Sequence, residues 1–414
     1  MALATRHIGL SLGADICWPL AFEGILKKAR PAVTVGADTI QFATERVTLE
    51  PFSLQAPCKY DLVVDRLTHW FPLRREWIKK AVLMDGLYVY NNPWSVQSCE
   101  KHTTYCAMMA LGMPIPPTLM VPQKNYEPKA DLDFTLQSYA RLFDLTAQGQ
   151  QLGYPMFMKP FDGGGWQGVS QVKSEHDLLE IYDKSEKHLM HLQQAVAGYD
   201  LFVRAVGIGP QVRLMKYDPD QPLHGRYLPA RDFCSKAEAQ VMIDTCLLIN
   251  SFFGWDFNSC EALRRDGVFH PIDFANPCPD SQVNSIHCHW PWYVVANLRW
   301  ALFVAATKRP MRQNLDFAPF QEIGRQQSPY AKKLEQYGKL ARRRFDADRF
   351  LEFCGKNLQH LIPAAQEWFA SDACKEAVRK KVAHIYPAHE VDDFSARFFQ
   401  AVQVGSATLQ GDFA

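Results

Sequence analysis

The sequence predicts a mixed protein: an α/β domain at the amino end, a strand-dominated α+β region in the middle and a helical carboxyl-terminal extension. Three observations carry this. Strand and helix signals alternate over residues 1–95. Strand signals and glycine turns dominate from Tyr154 to about Asn276. From Trp290 to about Val402 the apolar spacing is helical, broken near Pro310, Pro329, Pro363 and Pro387.

The 414 residues are enough for two or three domains. Lys plus Arg number 45 against 44 Asp plus Glu, so no broad basic field is present to hold nucleic acid, and any anion site must be local. The 11 cysteines are scattered without a Cys-x-x-Cys pair, which fits reduced thiols and a cytoplasmic setting. The start, residues 1–13, has a short apolar run and no small-residue cleavage site, so it reads as a first strand and not as a signal peptide. The most apolar long stretch, Trp290 to Thr307, carries Asn297 and Arg299. It is expected to be a buried or amphipathic helix, and no membrane role is indicated.

Taken in order, His7 to Gly13 reads as a strand ending in a glycine turn, and Trp18 to Lys28 as a helix. Asp38 to Leu49 is β-rich. Tyr60 to Asp65 is an apolar run of the kind found in buried parallel strands. Arg75 to Met84 is a helix closed by Asp85-Gly86, and Leu87 to Tyr90 is a further strand. A helix from about Val96 stops at Gly112 before Pro114, Pro116 and Pro117. Val121 to Phe134 reads as an exposed connector. Helices at Glu175 to Ser185 and Lys236 to Phe252 interrupt the later strands.

Three segments carry chemistry. In Tyr154-Pro-Met-Phe-Met-Lys159-Pro-Phe-Asp-Gly163-Gly164-Gly165-Trp-Gln-Gly168, a strand ends in a lysine and a glycine-rich tip follows. Such a tip either folds its N–H groups over phosphates or is a flexible hairpin. It is not a Walker A loop, because no Gly-Lys-Ser/Thr opens a helix. In His191-Leu-Gln193-Gln194-Ala195-Val196-Ala-Gly198-Tyr-Asp200, a strand turns and re-enters. The backbone there can read an adenine edge, and Asp200 is either a ribose acceptor or a turn-capping acid. In Phe257 to Pro277, two strands joined by Asp266-Gly267 carry Glu261, Asp273 and Asn276. These are oxygen donors suited to Mg²⁺, or else incidental acids of a solvated hairpin.

The order and spacing of these pieces resemble the ATP-grasp superfamily over about Tyr60 to Asn284. They are similar to its RimK, glutathione synthetase and D-alanine–D-alanine ligase branches. The resemblance implies an α/β pre-ATP-grasp domain at 1–95 and an ATP-grasp domain at 96–300, with α+β subdomains at 96–192 and 193–300. A helical extension at 301–414 follows. It implies ATP and Mg²⁺ as cofactors. Lys101, after Glu100 where the family's helix has Asp-Lys, sits at the position of a phosphate-binding lysine. Gly112 to Thr118 fits the family's Gly-x-Pro-x-Pro-x-Thr segment. Lys159 matches the lysine that contacts the α and β phosphates, and Gly163, Gly164 and Gly165 match the covering loop. Gln193, Gln194, Ala195 and Val196 match the adenine hinge and Asp200 the ribose acid. Glu261, Asp273 and Asn276 match the metal ligands, and Arg213 and Lys216, with Arg226 and Arg231, follow the hinge strand where the family places cations around the transferred phosphoryl group, or else are surface charges.

One departure from the family is visible. The usual metal pair is acid-x-Asn, whose period of two puts both side chains on one face of a strand. Here Asp273 and Asn276 are three apart, so a bulge at Phe274 or Ala275 is expected to restore the facing. His287-Cys288-His289 alternates like a metal pair but lacks further ligands. Lys332-Lys333 and Arg342-Arg343-Arg344 read as solvated helix faces or a subunit contact.

The resemblance implies an ADP-forming carboxylate–amine ligase working through an acyl phosphate, on small amino-acid-like or peptide-like substrates, with a homodimer common in the superfamily. Two further readings stand beside it: a kinase of the inositol-phosphate type, which the Tyr60 to Thr68 run also resembles, and a non-catalytic nucleotide-binding protein. Substrate specificity is expected from the first domain and from Pro277 to Trp290.

Overall fold

A computed structural model of the chain describes residues 3–13, 15–48, 50–66, 71–96, 100–162, 167–277 and 279–413. Its strands are β1 (Leu3–Ser11), β2 (Val33–Val35), β3 (Asp38–Arg46), β4 (Leu62–Asp65), β5 (Tyr88–Tyr90), β6 (Thr118–Val121) and β7 (Met156–Pro160). There follow β8 (Ser170–Val172), β9 (Met190–Gln194), β10 (Leu201–Ile208), β11 (Gln211–Tyr217), β12 (Tyr227–Leu228), β13 (Phe257–Arg265) and β14 (Val268–Asn276). The chain forms two compact units. One comprises residues 1–97, 203–259 and 277–414, and the other residues 98–202 and 260–276.

In the first unit a five-stranded sheet runs in the order β2-β3-β1-β4-β5. Strands β3, β1, β4 and β5 are parallel, and β2 is an antiparallel edge. All four residues of β4 are buried, as the continuous apolar run predicts for a strand covered on both faces. The helix Cys17–Ala29 buries Trp18, Phe22 and Ile25. Its Gly24 is required by a close approach, since a Cβ there would lie 2.1 Å from Trp368 Nε1. Strands β10, β11 and β12 form an antiparallel ladder in this unit.

The helix Lys236–Phe253 starts at a capping box between Ser235 and Glu238 and stops at Gly254, whose φ is 67°. The helix Trp290–Thr307 is buried from Trp290 through Ala306, so it is enclosed on every side, with Asn297 and Arg299 buried among its apolar residues. It packs against Cys17–Ala29, Ala347–Asn357, Leu361–Phe369 and Val391–Ala407. The extension therefore wraps a central rod. No helix among the described residues is long and apolar enough to cross a membrane.

The second unit is built on a four-stranded antiparallel sheet, β6-β9-β7-β8. Its core is Val121, Leu145, Leu152, Met156, Met158, Val172, Leu178, Met190 and Leu192. The helix Glu175–Ser185 is capped by Ser174, whose side chain accepts from the Asp177 N–H. The hairpin of β13 and β14 turns at Asp266 and Gly267, with φ of 52° and 74°. Positive φ at both central residues is the geometry that Asp-Gly favours.

The architecture matches the expected order of an α/β domain, an α+β region and a helical extension. Some elements differ in detail. The helix expected from Val96 is a short turn, Pro93–Val96, and a helix, Lys101–Ala110. The helix Leu145–Leu152 is additional. Its central Gly149 weakens the local signal, but a Cβ there would meet Leu178 at 2.5 Å and the Tyr154 hydroxyl at 2.7 Å. Close packing overrides propensity at that position.

Candidate active site

The second unit gathers most of the charged residues that the sequence points to. Strand β7 carries Lys159 toward the end of its apolar run, and the ammonium is buried at 7% exposure. Its Nζ donates to Gln193 Oε1 at 2.7 Å and to the Ile272 carbonyl at 3.3 Å. Gln193 lies opposite Thr118 on β6 and opposite Phe157 on β7. Its amide nitrogen donates to Thr118 Oγ1 at 2.9 Å. Thr118, Gln193 and Lys159 are thus joined by side-chain hydrogen bonds across the sheet.

The helix Lys101–Ala110 supplies the next pieces. Its first N–H donates to the Phe161 carbonyl at 2.8 Å, which ties the helix start to the strand that carries Lys159. Lys101 is 4% exposed, and its Nζ lies 3.6 Å from Asp273 Oδ2. One turn on, Tyr105 shares the same face and donates its hydroxyl to the Ile272 carbonyl at 2.5 Å.

The β13–β14 hairpin brings the acids. Glu261 is buried at 7% exposure, and Asp273 is partly buried. Phe274 and Ala275 are buried in succession, which breaks the strand's alternation. Asn276 Nδ2 then donates to Asp273 Oδ1 at 3.3 Å. Residues three apart on a straight strand point to opposite faces, so this contact means that the strand departs from straight pleating between them.

These groups act on one another electrostatically. Burial pulls the Lys159 ammonium down to about 8, helped by the Lys101 charge and opposed by Asp273 and Glu261. Burial, with Asp273 and Glu261 nearby, holds the Tyr105 hydroxyl well above its ordinary range. Two lysines and two carboxylates therefore share one poorly hydrated region. Glu261, Asp273 and the Asn276 amide are hard oxygen donors and suit Mg²⁺ in kind. No group of three His, Cys, Asp or Glu side chains that could hold a metal exists among the described residues. The set fits an ion that takes its remaining ligands from phosphate and water.

The hinge and its acid are arranged differently. The Gln194 N–H donates to the Pro117 carbonyl and the Ala195 N–H to the Pro155 carbonyl, at 2.9 and 3.1 Å. The Gln194 side chain is held by the Leu152 carbonyl at 2.9 Å. The Val196 N–H makes no backbone hydrogen bond among the described residues. Asp200 is exposed and takes two hydrogen bonds from Arg264, Nη2 at 2.6 Å and Nε at 3.0 Å, which hold its carboxyl below the usual range. As an ion-paired acid beside a turn it fits the capping alternative, and a ribose hydroxyl would have to share it with Arg264. Gly163, Gly164 and Gly165 lie outside the described residues.

Sequence reasoning passed over one pair. His191, opposite Lys159 on β9, is 1% exposed and stacks on His102, with ring centroids 5.6 Å apart and planes 17° apart. Burial, His102 and the two lysines push His191 down to about 4, so it is neutral at pH 7. The signal available was its position two residues before Gln193 on the same strand face.

The remaining candidates belong to the first unit. Arg213 Nη1 lies 2.8 Å from Asp412 Oδ1, and Arg231 Nη1 lies 3.0 Å from the same atom. Lys216 lies on β11 opposite Val203 and Leu228. Arg226 Nε donates to the Gln221 carbonyl at 3.0 Å. Arg204, which sequence reasoning did not name, donates to Ser259 Oγ at 3.0 Å and to the Tyr227 hydroxyl. His287-Cys288-His289 is a 3₁₀ turn and not a strand. The His287 Nδ1 accepts from the Cys288 N–H, and the His289 Nε2 faces the Leu228 carbonyl at 3.0 Å. That is no metal pair. Arg66, from the loop after β4, donates to the Pro279 carbonyl at 2.6 Å and meets Asp15 at 2.8 Å. The segment expected to govern specificity thus rests on the ends of β1 and β4.

No family model matches the chain. A segment of 66 residues is 39% identical to D-alanine–D-alanine ligase A of Chromobacterium violaceum, covering 16% of this chain and 18% of that ligase. The match thus spans less than a fifth of the relative's length. Among solved structures, the D-alanine–D-alanine ligase of Bacillus anthracis complexed with ATP is 11% identical, with 73% of this chain and 97% of that chain covered and a TM-score of 0.47. A RimK domain ATP-grasp protein from Sphaerobacter thermophilus is 14% identical, with 71% and 97% covered and a TM-score of 0.48. D-alanyl-alanine synthetase A of Vibrio cholerae is 14% identical, with 74% and 99% covered and a TM-score of 0.48.

Proposed function

We propose that the chain is an ATP-grasp ligase that uses ATP and Mg²⁺ to join a carboxylate to an amine, with release of ADP and phosphate. The observation that carries this reading is the convergence of Lys101, Lys159, Glu261, Asp273 and Asn276 within one unit. Two buried ammonium groups beside paired oxygen donors suit a triphosphate and its cation. They have no evident use in a core that could have been apolar.

In this reading Lys101 and Lys159 hold phosphate oxygens, and Glu261, Asp273 and Asn276 hold Mg²⁺. The ion would neutralise phosphate charge. The hinge backbone from Gln193 to Val196 meets the adenine. A substrate carboxylate takes the γ-phosphoryl group and so acquires a leaving group. The amine displaces it, forming the amide bond and releasing inorganic phosphate. The protein's part is to position the groups and to keep water from the activated carboxylate. Arg213 and Lys216 are proposed to steady charge on the transferred group. The substrates are proposed to be small and amino-acid-like, as the names of the D-alanine–D-alanine ligase relatives suggest. The nine cysteines among the described residues form no disulfide, and the reading places the chain in the cytoplasm.

An ADP-release assay over pooled amino acids and carboxylates, followed by mass analysis, tests the proposal. The expected result is ADP and free phosphate in equal amounts, with a product one water lighter than the two substrates together. Phosphate retained in the product would assign a kinase instead. MgATP binding without turnover on any pool would point to the non-catalytic reading.

A further inference from the structure

The arginine run at the end of the helix Tyr330–Arg344 does not lie on a merely solvated face. Arg343 and Arg344 line a cavity of about 340 Å³ in the first unit, together with Arg309, Arg312, Asp256 and Asp346. Four arginines and two aspartates therefore line it.

Those carboxylates are already engaged. Asp346 pairs with Arg309, whose other nitrogen donates to the Arg344 carbonyl at 2.5 Å. Asp256 is 4% exposed and accepts from the Tyr88 hydroxyl at 2.9 Å and from Trp300 Nε1 at 3.0 Å. Burial pushes its carboxyl up to about 6, against the opposing pull of Arg309. Arg344 is held mainly by neutral groups, the Leu315 carbonyl at 2.9 Å and the Ser251 carbonyl at 3.4 Å, with Asp316 at 3.8 Å on its outer side. Burial and the neighbouring Arg312 charge draw Arg344 down to about 10. The side chains of Arg312 and Arg343 are exposed and meet neither a carboxylate nor a carbonyl among the described residues.

The cavity thus carries an excess of positive charge at like-charged groups that repel one another. Guanidinium groups bind phosphate in a two-pronged fashion, and a cavity of a few hundred Å³ suits a small molecule. A chain with a net charge of +1 offers no extended field for nucleic acid, which favours a compact ligand. We propose that this cavity binds a small phosphate-bearing solute, with Arg312 and Arg343 as the groups that contact the phosphate. The site is independent of the ligase reading.

Calorimetric titration with inorganic phosphate and pyrophosphate, at constant ionic strength, tests it on the full chain. Wild type is compared with the R312A/R343A double variant. Both side chains are exposed and bear no structural contact, so the variant is expected to fold and to bind ATP unchanged. The expected result is a saturable component in wild type that weakens at least tenfold in the variant. Identical isotherms for the two proteins would overturn the proposal, as would equal displacement by chloride. If the variant does not fold, a pyrophosphate-induced rise in the wild-type unfolding midpoint takes its place, and no rise overturns the proposal. Glycerol phosphate and a phosphoserine peptide, titrated in parallel, separate a free solute from a modified chain. Binding of the peptide alone would also overturn it.

Discussion

Lys159 gives the most exacting test of the site. Burial brings its ammonium down to about 8, whereas an ordinary lysine titrates near 10.5. The groups that face it are Lys101 and Tyr105 on their helix, His191 on β9 and Glu261 and Asp273 on the hairpin. If only the protonated form holds phosphate, the apparent dissociation constant for MgATP scales as one plus the ratio of neutral to charged lysine. That factor is about 1.1 at pH 7 and about 11 at pH 9, so affinity falls roughly tenfold, or about 1.4 kcal/mol. A solvated lysine would give no change over that range.

His191 is already neutral, and the Tyr105 hydroxyl lies well above the window, so neither mimics the effect. Calorimetry at pH 7, 8 and 9 in buffers of differing ionisation enthalpy measures both the affinity and the proton taken up on binding. Up to about 0.9 proton should be taken up per nucleotide at pH 9. The stability of the free protein moves the other way. Between pH 8 and 10.5 the unfolded chain holds a proton that the folded one lacks, so this group's contribution to stability rises with pH. A flat affinity from pH 7 to 9, with no proton uptake, would refute the assignment of Lys159 to phosphate.

Other outcomes follow from single contacts. Asn276→Ala should raise the Mg²⁺ concentration needed for half-maximal ATP binding by roughly tenfold, and an unchanged Mg²⁺ titration would remove Asn276 from the metal set. Gly405→Ala should destabilise the chain by about 1–3 kcal/mol in urea unfolding. A Cβ there would lie 1.9 Å from the Cys288 carbonyl oxygen, a backbone atom that cannot swing aside. Asp412→Asn should cost about 2 kcal/mol in the same assay, because Arg213 and Arg231 would lose the carboxylate they share. An unchanged midpoint would mean that the two arginines find another partner.

What could be read from the sequence followed the range of the forces involved. The helix from Lys236, the Asp266-Gly267 turn and the buried run of β4 are set by neighbours within a few residues, and each could be placed in advance. Lys159, Glu261 and Asp273 stand out as charges in apolar strands, and Lys101 joins them only through the family resemblance of its segment. The side-chain contact between Asp273 and Asn276 was accessible as a conflict between spacing and pleat. Partners fixed by distant chain segments were not accessible. Nothing local tells that Arg264 takes up Asp200, that Asp412 takes up Arg213, or that His102 stacks on His191. Gly149 misleads for the same reason, since the atoms that require it come from Tyr154 and Leu178.

The all-round burial of the Trp290–Thr307 helix bears on how the polypeptide is made. The ribosome delivers this greasy segment before the helices that sheathe it, Ala347–Asn357, Leu361–Phe369 and Val391–Ala407. Until those arrive, its indoles and aliphatic groups have only part of their lining. The nascent chain therefore passes through a sticky interval in which a holding chaperone has something to grip. Shortened versions that stop soon after Thr307 would be trapped in that interval for good, collecting in inclusion bodies instead of yielding a smaller folded protein.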